Sequence, residues 1–242
     1  MNELIILGCG SSDALKNYNA NVAVINQQGT LLIDCGYSIK HALAAQNMGI
    51  ESVDAIFITH IHGDHIFGLE RIAFENYYKY HKKIALYLHP SLYKTLWDES
   101  LKGSLGHTDK GSAVLEDYFD VHFVEDKFEL FGNHYQLLKV KHIKGVAAFG
   151  LNINEDIFYS GDTTPICEIL QDLRFNVGLH DATFSASEVH SSVDSLLENY
   201  PEHIRKKLYL HGYPDNYLDY QDLVDKNFKG LTKQGMRIKF GQ

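Results

Sequence analysis

Six consecutive residues, His60-Ile61-His62-Gly63-Asp64-His65, place three imidazoles and one carboxylate in a single short run. Neutral imidazole and carboxylate are the usual ligands of Zn²⁺, and donors packed this closely can serve two ions. The run is interior and follows Ala55-Ile56-Phe57-Ile58-Thr59, an apolar stretch that reads as a buried strand. Gly63 interrupts the cluster, so the segment reads as a strand end and then a tight loop, with its side chains splayed toward one point. Three later residues extend the set. His142 ends the run Leu137-Leu138-Lys139-Val140-Lys141, Asp162 follows Phe158-Tyr159-Ser160-Gly161, and His211 ends Leu208-Tyr209-Leu210. Each is a ligand-type side chain at the end of an apolar strand, where loops form sites.

The elements that must position these residues alternate between strand and helix. Strands are expected at 4–7, 21–26, 30–34, 55–59 and 84–88, then at 121–124, 135–141, 148–153, 157–160, 177–180 and 207–210. Helices are expected at 38–48, closed by Gly49, and at 66–80, a segment rich in Phe and Tyr. Further helices are expected from Pro90 and near 165–172, 192–199 and 219–226. Residues 102–112 read as a polar, flexible loop that could cover a pocket. The alternation suggests two sheets packed face to face with helices outside, in one domain over 1–242.

The composition is that of an ordinary globular protein, with 242 residues, 45% hydrophobic and 22% charged. There is no apolar stretch of about 18 residues, so no transmembrane helix is expected. The N-terminus lacks a basic start and a small-residue cleavage site and reads as a first strand. Cys9, Cys35 and Cys167 are scattered and odd in number, which argues against a disulfide framework and favours a reducing cytoplasm. The formal charge of −9 does not suit a surface that grips long nucleic acid. Two bound Zn²⁺ would add about four positive charges at one spot. An acidic exterior with a cationic pocket suits a small anionic substrate. An exposed aromatic helix would make a homodimer plausible.

The His-x-His-x-Asp-His run at 60–65, followed in order by single His, Asp and His at 142, 162 and 211, resembles the metallo-β-lactamase superfamily over nearly the whole chain. Asp34, in Leu32-Ile33-Asp34-Cys35-Gly36, matches that superfamily's early Asp-x-Gly element. The resemblance implies an α+β fold, the four-layer αββα sandwich, with the site at one edge between the sheets. It implies that His60, His62 and His142 hold one metal, that Asp64, His65 and His211 hold a second, and that Asp162 bridges them. A pair of ions flanking one hydroxide lowers that water's pKa and polarises the bond it attacks. In redox di-iron relatives an acidic residue commonly stands where His62 is. The imidazole favours zinc, with Mn²⁺ and Fe²⁺ as alternatives.

Within the superfamily, Leu7-Gly8-Cys9-Gly10-Ser11-Ser12 and the segment His180-Asp181-Ala182-Thr183 resemble the ribonuclease Z and phosphodiesterase branch. Carried over, His180 becomes the general acid that protonates the leaving oxygen, with Asp64 assisting through its non-metal oxygen. His190 then reads as a supporting residue, since Ser191 or Ser192 is a natural helix N-cap. Ribonuclease Z enzymes carry a long tRNA-gripping arm between the third His and the bridging Asp. The interval from His142 to Asp162 leaves room only for a hairpin at 146–160, so the resemblance narrows to arm-less phosphodiesterases acting on small or cyclic phosphodiesters. Lys144 lies where it could reach a phosphate. The rival expectations are a ribonuclease acting on RNA ends, a lactone, thioester or sulfate-ester hydrolase on the same metals, and a metal-dependent binding module without turnover.

Overall fold

The computed structural model describes residues 2–241. The first strands are β1 (Asn2–Gly8), β2 (Asn21–Asn26), β3 (Gly29–Ile33), β4 (Ala55–Ile58) and β5 (Ile84–Leu88). A small hairpin, β6 (His107–Thr108) and β7 (Gly111–Ser112), precedes β8 (Phe119–Phe123). The second half holds β9 (Lys127–Leu130), β10 (Asn133–Lys139), β11 (Phe149–Ile153), β12 (Ile157–Tyr159), β13 (Val177–Asp181), β14 (Leu208–His211), β15 (Gly230–Leu231) and β16 (Arg237–Phe240). They form two seven-stranded sheets, in the orders β16-β1-β2-β3-β4-β5-β8 and β15-β14-β13-β12-β11-β10-β9. This is the α+β architecture of two large sheets with helices outside them that the sequence implies.

Each sheet is antiparallel in its first part and parallel after it. The strands β1, β2 and β3 pair antiparallel, whereas β3, β4, β5 and β8 run parallel. In the second sheet β9 to β12 pair antiparallel and β12 to β15 run parallel. Parallel strands are covered on both faces, which is why β4 and β12 are apolar at every position and fully buried. Loops that leave the carboxyl ends of parallel strands gather on one side of a sheet, and that is where α/β sites form. One continuous apolar core joins the inner faces of the two sheets.

Two expectations need correction. The segment after β4 is not a tight loop followed by one long helix. It forms a one-turn helix, Gly63–Ile66, then a second helix, Leu69–Phe74, that widens into a π-helical stretch, Glu75–Tyr80. The break falls at Gly68, where a Cβ would lie 2.3 Å from the Gly36 carbonyl oxygen. A Cβ on Gly36 would in turn lie 1.9 Å from the Asp64 carbonyl oxygen. Two glycines therefore let the ligand-bearing turn sit directly on the loop that leaves β3. Residues 102–112 are likewise ordered, as a short helix, Lys102–Leu105, and the β6–β7 hairpin. The hairpin leans on the aromatic helix through Tyr78 to Asp109 (3.2 Å) and Lys110 to Tyr77 (3.4 Å), away from the ligand cluster. Most of that helix's aromatic surface is spent on the core; Phe67 and Tyr78 remain about half exposed. Among the described residues no helix is long and apolar enough to cross a membrane.

Candidate metal centre

Four imidazoles have their orientation and tautomer fixed from behind. Asp34 ends β3 with a positive φ of 66° and is fully buried. Its Oδ1 accepts the Thr59 backbone N–H (2.9 Å), and both its oxygens lie within 3.0 Å of the Thr59 hydroxyl. With that hydroxyl proton committed to Asp34, Thr59 Oγ1 can only accept, so the neighbouring ring nitrogen of His60 (Nδ1, 3.0 Å) is the N–H donor. His65 Nδ1–H donates directly to Asp34 Oδ2 (2.8 Å). His142 Nδ1–H donates to the Val189 carbonyl (2.8 Å). His211 Nδ1–H donates to Thr232 Oγ1 (2.9 Å), whose own proton goes to the Leu210 carbonyl (3.1 Å). In His60, His142 and His211 the Nε2 lone pair is left bare, the state in which imidazole ligates a metal. Burial pulls the His65 pKa down, but the carboxylates of Asp162 and Asp34 outweigh it and raise it well above the usual histidine range, so a cation at its Nε2 would displace a proton.

Those lone pairs converge. His62 Nδ1 lies 3.1 Å from His60 Nε2 and 3.1 Å from His142 Nε2. Neither Nε2 carries a proton, and a single proton on His62 could satisfy only one of the two contacts. A tetrahedral ion with metal–nitrogen bonds of about 2.0–2.1 Å separates its ligands by about 3.3 Å, so the triad has the spacing of a metal cradle. Asp162 divides between two groups. Its Oδ2 faces His60 Nε2 (3.7 Å) and His142 Nε2 (3.9 Å), while its Oδ1 faces His65 Nε2 (3.4 Å). Asp64 Oδ2 approaches the same His65 nitrogen (3.3 Å). The structure thus gathers His60, His62, His142 and Asp162 into one group, and Asp64, His65 and Asp162 into another. His211 falls outside both tight groups, but its Nε2 is buried with no hydrogen-bond partner. An orphaned buried lone pair is costly unless a cation meets it. Burial, against the raising pull of the Asp162 carboxylate, holds the His211 pKa down to about 3, and burial likewise lowers His60 and His142. All three rings are kept neutral, as ligation requires, and the donor set fits divalent cations such as zinc.

His180 does not take part in this site. Its ring is fully buried, Nδ1 donates to the Asp181 carbonyl (2.8 Å), and Nε2 accepts from the Tyr200 hydroxyl (2.8 Å). Burial lowers its pKa to about 4. The expectation that His180 is the general acid is therefore corrected: it is a satisfied core histidine with both nitrogens turned away from the cleft. His190 stands where His180 was expected to act. It lines the cleft with its Nδ1 2.9 Å from Asp181 Oδ2 and 3.8 Å from Asp162 Oδ2. Burial pulls its pKa down, but the bond to Asp181 and the charges of Asp181 and Asp162 outweigh burial and hold it at about 9. The loop 182–192 returns to the end of β13 through Thr183 N–H to the Ser191 carbonyl (2.8 Å) and Val193 N–H to the Thr183 carbonyl (2.9 Å). The signal for His190 lay in its place just ahead of Ser192, which does N-cap the helix Val193–Asn199.

A cleft of about 510 Å³ opens over the cluster. His62, Asp64, His65, Asp162 and His190 face it, and its outer walls come from Gly10–Asp13 on one side and Gly212, Pro214 and Asn216 on the other. Lys144 is exposed and, like residues 102–112, is not among the residues lining this cleft. Between His142 and Asp162 the chain spends its residues on β11, β12 and their turn, leaving no arm.

The family model for Anti-Pycsar protein Apyc1 matches residues 2–238. The chain belongs to the Apyc1 family. An Anti-Pycsar protein Apyc1 from Saccharibacillus brassicae is 38% identical over 222 residues, covering 88% of this chain and 90% of the relative. One from Bacillus phage 010DV004 is 36% identical over 253 residues, covering 97% of this chain and 93% of the relative. Among solved structures, a diphosphatase from the PhnP family superposes with a TM-score of 0.77 at 18% identity, covering 100% of this chain and 98% of that one. The short form of human tRNase Z gives 0.71 at 17% identity, covering 99% and 100%. These structures share the metallo-β-lactamase fold with the chain. As an Apyc1 family member on that fold, the chain is a metal-dependent hydrolase.

Proposed function

We propose that the chain is a dinuclear phosphodiesterase that opens a cyclic nucleotide, with zinc as the metal. His60, His62 and His142 would hold one ion and Asp64, His65 and His211 the other, with the two oxygens of Asp162 facing the two groups. When bound, such a pair acidifies a water and draws charge from the phosphoryl oxygens. The chain's own residues do the rest. Asp64 faces the cleft with an oxygen free to take a proton from the attacking water. His190, carrying its proton and aligned by Asp181, delivers that proton to the departing ribose oxygen, which as an alkoxide would be a poor leaving group. Three observations support a small substrate: the 510 Å³ cleft, the hairpin that replaces an arm, and the formal charge of −9. Family membership favours a cyclic nucleotide among small diesters. Three free cysteines fit a reducing cytoplasm as the place of reaction.

The observation that carries the reading is the pair of ligand groups sharing the two oxygens of Asp162. The test is metal content by mass spectrometry, together with turnover of 3′,5′-cyclic nucleotides, bis(p-nitrophenyl) phosphate and a lactone, before and after chelation. About two zinc ions per chain and chelator-sensitive ring opening are expected. Faster lactone than diester turnover would remove the phosphodiesterase assignment.

A further inference from the structure

The outer walls of the cleft come from opposite sheets. Gly10–Asp13 follow β1 in one, and Gly212, Pro214 and Asn216 follow β14 in the other. At their inner end the two loops are joined by a buried anchor. Ser11 N–H donates to the Tyr213 carbonyl (3.1 Å), Tyr213 N–H donates to the Cys9 carbonyl (3.2 Å), and the Tyr213 hydroxyl reaches the Thr232 carbonyl (2.6 Å). At the outer end a single carboxylate spans the gap. Asp215 Oδ2 accepts from Leu15 N–H (2.8 Å), Oδ1 accepts from Lys16 N–H (3.1 Å), and Lys16 Nζ donates back to the Asp215 carbonyl (3.2 Å).

Burial does not hold this part of the wall. Ser12, Asp13, Leu15 and Lys16 are all exposed, and Leu15 keeps 94% of its surface in solvent. An exposed leucine adds no packing energy, so the outer half of the loop depends on its hydrogen bonds. The cleft lining also contains no Lys or Arg among the described residues. Long-range attraction from the wall therefore cannot compensate for a wall that is out of place. What these outer walls offer a substrate are the short side chains of Ser11, Ser12, Asp13 and Asn216, which act only within hydrogen-bond reach.

We infer that Asp215 is a positioning residue for substrate binding: its carboxylate ties the Leu15–Lys16 backbone to the β14 loop and so sets the width of the cleft. This rests on the phosphodiesterase reading, for which these walls face the nucleotide. Asp215 does not line the cleft and touches no metal-ligand candidate, so it acts on binding and leaves the chemical step alone.

The test uses the metal-loaded full chain with Asp215→Ala and Asp215→Asn, read by steady-state kinetics and by hydrogen exchange at Leu15 and Lys16. In Asp215→Ala these amides exchange faster, KM for the cyclic nucleotide rises about tenfold and kcat stays within about twofold. Asp215→Asn, which keeps one acceptor oxygen, recovers part of the KM. Faster exchange with an unchanged KM would overturn the inference, because the staple would then have no bearing on binding. So would a fall in kcat that matches the rise in KM, or a loss of metal. If the wild-type chain opens no cyclic nucleotide, that reading fails by itself, and the same KM-against-kcat split on bis(p-nitrophenyl) phosphate still decides the role of Asp215.

Discussion

Replacing Asp34 by asparagine should disable one metal position and spare the other. The carboxylate has two distinct jobs: Oδ1 accepts the buried Thr59 N–H, and Oδ2 accepts His65 Nδ1–H. An asparagine must place its oxygen opposite the Thr59 amide, because the reverse flip would set two donors face to face at a buried backbone group. Its NH₂ then meets His65 Nδ1, and His65 can only avoid a clash of donors by moving its proton to Nε2. That nitrogen is the one facing Asp64 and Asp162, so the second ion loses a lone pair. His60 is insulated from the change, since its partner is Thr59 Oγ1, which can still donate to the remaining oxygen. Losing the alignment of one ligand costs about 10–100-fold in metal affinity, or about 1.4–2.7 kcal/mol. Calorimetric titration of the apo-protein with zinc should show two binding steps in the wild type. In Asp34→Asn one step should be preserved and one weakened by that factor, with phosphodiester turnover falling in parallel. Equal weakening of both steps, or no weakening, would refute the hydrogen-bond logic.

The other predictions separate chemistry from scaffolding. His190→Ala should lower kcat for a cyclic nucleotide by about 10²–10⁴ and spare bis(p-nitrophenyl) phosphate, whose leaving group needs no proton; equal losses on both would reject His190 as the proton donor. His180→Ala should keep kcat but lose about 2–4 kcal/mol in urea denaturation, because it leaves a cavity and deprives the Tyr200 hydroxyl proton and the Asp181 carbonyl of their ring partners in the core. The same ring gives a pH dependence. Its folded pKa of about 4 lies below the ordinary histidine value of 6.5, so the unfolded chain binds the extra proton and stability falls as pH drops through 6.5, by about 3 kcal/mol once pH reaches 4. Removing His180 should take away its share of that slope and leave the part that His60, His142 and His211 contribute. Ellman's reagent should titrate Cys167 in the native protein and all three thiols only after unfolding, because Cys9, raised to about 11 by burial, and Cys35 are shut inside the core.

The strands that carry ligands were legible because burial on both faces writes them as unbroken apolar runs, as in Ala55–Ile58 and Ile157–Tyr159. Three of the four edge strands were not. β9 and β16 alternate cleanly, as Lys-Phe-Glu-Leu and Arg-Ile-Lys-Phe, but over only four residues each, and β15 has two, too few for a period to stand out. The ligand types could be read from their places at strand ends. The roles of His180 and His190 could not, because they depend on which way a ring points. β13 pairs with β14 so that Asp181 lies beside His211, and strand alternation sends the adjacent His180 to the opposite face. The His190 loop reaches the cleft by folding back onto the end of β13 through the Thr183–Ser191 bond; the Ser192 cap marks where the loop ends but not which way the His190 ring points.

The ligand groups draw on both halves of the sandwich. His60, His62, Asp64 and His65 follow β4 in one sheet, whereas His142, Asp162 and His211 belong to the other. An ion bound at either position would therefore be a rivet through the seam as well as a reagent. Occupancy adds to the folding free energy by mass action, with each tenfold excess of free metal over its dissociation constant worth about 1.4 kcal/mol. A chain loaded with metal would then resist opening along the seam between the sheets, the line where it does its work.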